Sequence, residues 1–178
     1  MKKIAFSVLI VAASFLFIQQ TQAQKYAQGD IDLNLGVGVS SGFNFVPVYF
    51  GGNYMIKDWL SAGAEVGFRM DRIGGLYLYS YNRNGFSFVT RADYHFNELF
   101  ILPEKFDLYG GVDLGMAFFG KLKHDGYEYP YSYSNAYFLG GPHAGARLFF
   151  GSKFAINAQL GARSGDGAIF QFGATMKL

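Results

Sequence analysis

The sequence predicts an all-β fold, an eight-stranded antiparallel up-and-down transmembrane β-barrel. Three observations carry this expectation. Eight segments of about ten residues, the length of a tilted membrane-crossing strand, alternate apolar and polar side chains with a period of two. That period puts one set of side chains on each face of a strand. The 178 residues include 20 Phe, 13 Tyr and 24 Gly, and only 16% are charged. Beyond residue 23, no apolar run approaches the roughly 20 residues of a helical span.

The first 23 residues read as a secretory signal peptide. Lys2 and Lys3 form a basic start, Ile4 to Ile18 is an apolar stretch, and Thr21-Gln22-Ala23 offers a small residue before an expected cut at Gln24. Residues 24–178 are then one barrel domain. The formal net charge of +2 resides in Lys2 and Lys3, so the barrel itself balances 13 basic against 13 acidic residues. That balance points away from nucleic acid as a partner. There is no Cys, which excludes both a disulfide framework and a lipoprotein signal.

The strands follow in order. Ile31 to Ser40 alternates Ile31, Leu33, Leu35, Val37 and Val39 with Asp32, Asn34 and small residues. Val48 to Ile56 is a weaker second strand, and Leu60 to Arg69 a third. Phe86 to Phe96 and Leu108 to Phe118 are the fourth and fifth. Phe138 to Phe150 and Phe154 to Arg163 follow. The eighth alternates Ala168, Phe170, Phe172, Ala174, Met176 and Leu178 with Ile169, Gln171, Gly173, Thr175 and Lys177. Short turns at residues 57–59 and 151–153 and a longer connection, 97–105, which contains Pro103, fall at one end. The connections at 41–46, 70–84, 120–136 and 165–167 fall at the other, and two of these four are long. Short turns on one side and longer loops on the other are the pattern of an outer-membrane-type barrel.

Parity decides which face meets lipid. Asp32, Glu65, Arg69, Arg91, Asp93, Asp113, Arg147, Arg163 and Lys177 all fall opposite the apolar set, among many glycines. A water-facing surface would be richer in Lys and Glu. Glycine beside Arg and Asp suits a narrow lumen. Phe and Tyr gather at strand ends, where interfacial girdles form. A soluble barrel with its apolar face inside is therefore disfavoured.

The whole of residues 24–178 resembles the small outer-membrane barrels of the OmpA/OmpX type. The pattern of strands and loops carries the resemblance, together with the amphipathic last strand Phe170-Gln171-Phe172-Gly173-Ala174-Thr175-Met176-Lys177-Leu178. This strand is similar to the signal that barrel-assembly machinery reads, with Leu178 where the family usually has Phe. The resemblance implies the outer membrane of a Gram-negative-type cell, contact with its lipid and a monomer. It looks like a stand-alone barrel, without the peptidoglycan-binding domain of OmpA.

An eight-stranded lumen is only wide enough for side chains to fill. The expected lumenal network is Asp32, Glu65, Arg69, Arg91, Asp93, Asp107, Asp113, His143, Arg147, Arg163 and Lys177. If Phe119 pairs with Tyr137, Asp113 sits opposite His143. Glu65 and Arg91 lie at similar depth on adjacent strands, and Lys177 meets Asp32 at closure. Such a balanced network plugs the barrel; the alternative is a narrow pore for ions or a small solute. No cofactor or metal motif is present, and no enzyme is expected: His143 and His124 have no Ser beside them in sequence, and His95 falls near the short-turn end, the wrong side for chemistry on outer-leaflet lipid. The long loops alternate tyrosines, Tyr77, Tyr79 and Tyr81 in one and Tyr127, Tyr129, Tyr131 and Tyr133 in the other. Both runs alternate, so the flanking strands are expected to continue beyond the membrane as protruding hairpins, and the tyrosines extend an interfacial girdle, pack the loops together, or bind a surface ligand.

Overall fold

The structure, a computed structural model, describes residues 26–41, 48–74, 80–124, 127–128 and 135–178. The side chains of 70–74, 80–82, 124, 127–128 and 135 are outside the description, as is the expected signal peptide. The strands are β1 (Ile31–Ser40), β2 (Val48–Lys57), β3 (Leu60–Gly74), β4 (Ser80–His95), β5 (Phe106–Phe119), two short pieces β6 (Lys123–His124) and β7 (Tyr127–Glu128), β8 (Asn135–Phe150), β9 (Phe154–Arg163) and β10 (Gly167–Lys177). Each long strand pairs antiparallel with the next, β10 pairs with β1, and the ring of eight is closed. Closure leaves no edge strand, the only way a sheet can satisfy its backbone in lipid.

The alternation maps onto the two faces. Leu35, Val37, Phe50, Phe68, Phe88, Leu114, Phe138, Leu160, Phe170 and Phe172 are exposed on the outer wall. Asp32, Asp93, Asp107, Asp113, Arg147 and Arg163 are buried inside. This polarity is the reverse of a water-soluble protein and defines a lipid-facing band. Two apolar clusters also point inward, one at each end. Val89, Ala117, Phe119 and Leu139 pack together at the long-loop end, with Tyr137 against them. Tyr26, Met55, Phe149 and Ala155 pack at the short-turn end.

Some inward glycines are there because backbones approach closely. A Cβ at Gly141 would lie 1.8 Å from the Ala162 carbonyl oxygen. The tight β9–β10 turn uses Gly165 and Gly167, both at positive φ (83° and 72°), a conformation glycine adopts without steric cost.

One expectation about register is corrected. Phe119 pairs with Asn135, so Asp113 lies opposite Gly141 and His143 opposite Gly111. Lys177 does face Asp32 across the closure. Four neighbouring strands are also longer than the lipid-facing segments alone. β3, β4, β5 and β8 have 15, 16, 14 and 16 residues, against 10 in each of β1, β2 and β9. The β3–β4 ladder continues to Gly74↔Ser80. Asn82 pairs with Lys123, which joins the β3–β4 hairpin to the small β6–β7 ladder.

Candidate functional site

The lumen holds three polar layers, with the Phe119 cluster beside the upper one, on the Arg69–Gly85–Phe119 rung, and the Tyr26 cluster beside the lower one. Period-two alternation delivers one inward side chain every second residue, and the stagger of the ring brings those of distant strands together. At the short-turn end, Arg147 on β8 is buried. Its guanidinium bonds Asp107 at 2.6 Å, lies 3.6 Å from Asp32 and stacks 4.3 Å from the Tyr109 ring centroid. A planar fork suits two carboxylates at once. The Tyr26 hydroxyl donates to Asp32 at 3.0 Å, and its ring lies 5.3 Å from that of His95. Burial pushes the Tyr26 phenol well above its ordinary value. Tyr26 precedes β1, so the chain just ahead of the barrel folds back to cover this mouth.

In the same layer, the Ser61 hydroxyl lies 3.0 Å from His95 Nε2, and His95 Nδ1 lies 2.8 Å from Asp107. The order is that of a Ser–His–Asp relay. Ser61 is 0% exposed, however, and Tyr26 lies over the imidazole.

The middle layer centres on Arg91 and His143. His143 sits between Asp93 (2.7 Å) and Asp113 (3.1 Å). Arg91 approaches Asp93 at 3.3 Å and Glu65 at 3.8 Å, and donates to the Gln159 carbonyl at 2.5 Å. Arg163 donates to Asp113 at 2.7 Å and to Glu65 at 3.3 Å. Gln171 donates to both Glu65 oxygens at 3.1 Å. A cavity between this layer and the one below, lined by Tyr49, Arg91, Tyr109, Arg147, Gln159 and Gln171 among others, measures about 10 Å³, room for one water at most. An open concavity of about 360 Å³ lies elsewhere, in the connection 97–105, between Asn97, Glu98, Ile101, Leu102 and Glu104. Among the described residues no His, Cys, Asp and Glu cluster could hold a metal ion.

The upper layer joins Arg69 on β3 to Asp166 in the β9–β10 turn by two parallel bonds, the Nη2–Oδ2 bond being 2.7 Å. Just above the middle layer, Phe119 stacks on Tyr137 with centroids 5.4 Å apart, and Arg83 lies over its ring at 4.3 Å.

Of the expected lumenal set, Asp32, Glu65, Arg69, Asp93, Asp107, Asp113, His143, Arg147, Arg163 and Lys177 are buried, and the Arg91 side chain is 7% exposed. Their partners differ in places: Lys177 bonds Asp30 at 2.6 Å, because Arg147 reaches Asp32 from across the lumen. Asp30, Ser61, His95, Asp166, Gln159, Gln171 and Tyr26 join the network without having been expected in it, as do Asn34, Tyr49, Tyr109, Asn157 and Thr175. Ser61, His95, Gln159 and Gln171 carry the inward parity, which was the available signal. Asp30 and Asp166 lie outside any strand, where parity says nothing. Of the loop tyrosines, Tyr77, Tyr79, Tyr129, Tyr131 and Tyr133 lie outside the described residues. Tyr81 pairs with Ile73, and Tyr127 with His124, by backbone.

A closed antiparallel ring of eight, apolar outside and ionic within, is a small transmembrane β-barrel of the outer-membrane type. No family model and no curated protein matches the sequence. Solved structures do. The chain is similar to the N-terminal β-barrel domain of Pseudomonas aeruginosa OprF, at 11% identity and a TM-score of 0.62, covering 86% of this chain and 100% of that one. It is similar to the outer membrane protein OprG from Pseudomonas aeruginosa, at 11% identity and a TM-score of 0.59, over 89% and 99% of the two chains. It is also similar to Ail, the attachment invasion locus protein of Yersinia pestis, at 15% identity and a TM-score of 0.52, over 85% and 99%. At these identities the likeness is one of fold.

Proposed function

We propose that this chain is an integral protein of the outer membrane of a Gram-negative-type cell. Its barrel is a sealed anchor, and the raised wall of β3, β4, β5 and β8 is its working surface, a platform for adhesion or for contact with another surface molecule. The observation that carries this reading is the asymmetry of the strands. Four neighbouring staves extend beyond the rest at the end opposite the short turns, and the β4–β6 pairing ties their loops into one surface. A pure scaffold has no need of such a wall. Tyr127, Tyr129, Tyr131 and Tyr133 alternate in its largest loop, and tyrosine offers broad contact area with a polar tip. Ail, which shares the fold, has also been solved with the heparin analogue sucrose octasulfate.

The lumen supports the anchor role. Its described charges meet partners of opposite sign, an apolar cluster lies toward each end, and the Ser61–His95–Asp107 relay is covered by Tyr26, so it reads as structure rather than catalysis. Purified protein in a planar bilayer is expected to show no stable unitary conductance. A reproducible, ion-selective open state would favour a pore and overturn the sealed lumen. Replacing Tyr127, Tyr129, Tyr131 and Tyr133 together with Ser is expected to abolish adhesion of expressing cells while the barrel keeps its heat-modifiable electrophoretic mobility. Unchanged adhesion would defeat the platform.

A further inference from the structure

The connection between β4 and β5 is unlike the other short-turn-end connections. The β2–β3 and β8–β9 turns are two and three residues long. Residues 97–105 are longer, and expose Leu99 (64%), Phe100 (56%) and Ile101 (89%) in succession. Three adjacent large apolar side chains at a loop tip need a partner, since an exposed apolar patch marks a contact surface.

The loop is built rather than loose. The Phe100 amide donates to the Phe96 carbonyl and the Leu102 amide to the Asn97 carbonyl, each at 3.0 Å. The Phe106 amide donates to the Pro103 carbonyl at 2.8 Å. The Asn97 side chain accepts from the Leu108 amide at 3.0 Å, which straps the loop to β5. The Phe100 and Leu102 amides are thus satisfied within the loop, and Pro103 has none to satisfy. The Leu99 and Ile101 amides make no bond inside the loop, which suits a shallow position where headgroups and water can take them rather than the hydrocarbon core.

The apolar tip is also continuous with the lipid-facing wall. Rings run from Trp59 to Tyr94 (5.5 Å), from Tyr94 to Phe96 (5.0 Å) and from Phe96 to Phe100 (5.8 Å). Trp59 and Tyr94 are exposed on the outer face. Lys57 lies 5.2 Å over the Trp59 ring and Lys105 5.6 Å over Phe106. Aromatic rings with lysines beside them are the composition of the membrane interface. Glu98 and Glu104 flank the tip in sequence and limit it to shallow depth, because a carboxylate at the bilayer centre is costly.

We propose that the 97–105 loop is an interfacial anchor: Leu99, Phe100 and Ile101 insert into the phospholipid leaflet at the short-turn end of the barrel. The occupant of this apolar surface is lipid, and the loop fixes the depth of the barrel on that side.

The test uses the full barrel folded into phosphatidylcholine vesicles. Trp59 is the chain's single tryptophan, so Trp59→Phe gives a silent background for Phe100→Trp, with Leu99→Trp as a second reporter and Glu104→Trp as the control. The Phe100 and Leu99 reporters are expected to emit in the blue, to lose most of their emission to lipids brominated high on the acyl chains, and to resist acrylamide. The Glu104 reporter is expected to do the opposite. Red emission from the Phe100 and Leu99 reporters, quenched by acrylamide and untouched by bromine, would overturn the anchor. So would a blue shift that appears only when a periplasmic protein fraction is added, which would assign the tip to a protein partner.

Discussion

Arg147→Met is expected to destabilise the barrel by about 3–5 kcal/mol, the usual penalty for removing one partner of a buried ion pair. Arg147 is 2% exposed and answers two carboxylates, Asp107 and Asp32, that are themselves 1% and 0% exposed. Methionine fills much of the volume, so the loss reports charge rather than a cavity. Asp107 keeps His95 and Asp32 keeps Tyr26 and Asn34, but neither keeps its cation. Arg147→Lys restores a charge without the fork that spans both acids or the plane that stacks on Tyr109, and should recover part of the loss. Pairing Arg147→Met with Asp107→Asn should recover more than the sum of the separate changes allows. Urea unfolding of vesicle-folded protein, followed by Trp59 fluorescence, measures each. A loss below about 1 kcal/mol would place Arg147 with the exposed ion pairs and refute the sealed layer.

Leu114→Arg is expected to cost about 2–4 kcal/mol in the same assay, the range for a cation on the lipid face at the bilayer midplane. Leu114 is exposed on β5 and pairs with Thr90 on β4, midway between the girdle residues Phe86 and Tyr94. Phe106→Arg, near the short-turn rim, should lose far less, because the penalty falls to about 0–1 kcal/mol near the interface. Depth dependence is the decisive feature. Were the outer wall to face water, Leu114→Arg would be close to neutral, and the two substitutions would not separate.

The lipid face and the lumen were legible because a strand's side chains alternate strictly. Once Asp32, Glu65, Arg91, Arg147 and Arg163 share a parity, no twist of the sheet can put them on opposite faces. The register of β5 against β8 was legible only to within two residues. A shift of two keeps every side chain on its face, and Gly140-Gly141-Pro142 has no patterned side chain to choose between the alternatives. Tertiary packing chose Phe119↔Asn135, which lets Phe119 stack on Tyr137 across the strands. His143 still reaches Asp113, diagonally rather than directly.

Other features belong to the closed ring alone. Lys177 faces Asp32 as the closure requires, yet it bonds Asp30, because Arg147 comes to Asp32 from the far side of the lumen. Asp166 meets Arg69 only because a turn between β9 and β10 leans over the mouth. Neither neighbour nor periodicity in the chain announces such a pair. The count and order of the eight long strands, and the face each residue presents, were readable in the chain, since these follow from local stereochemistry and the polarity of lipid; the short β6–β7 ladder was not. The alternating tyrosine runs had already announced the protruding β3–β4 hairpin, whereas which ions meet and where the inward apolar clusters sit were set by the folded ring. Those depend on the stagger of a closed barrel, which brings together residues about a hundred positions apart, as in Glu65 and Arg163.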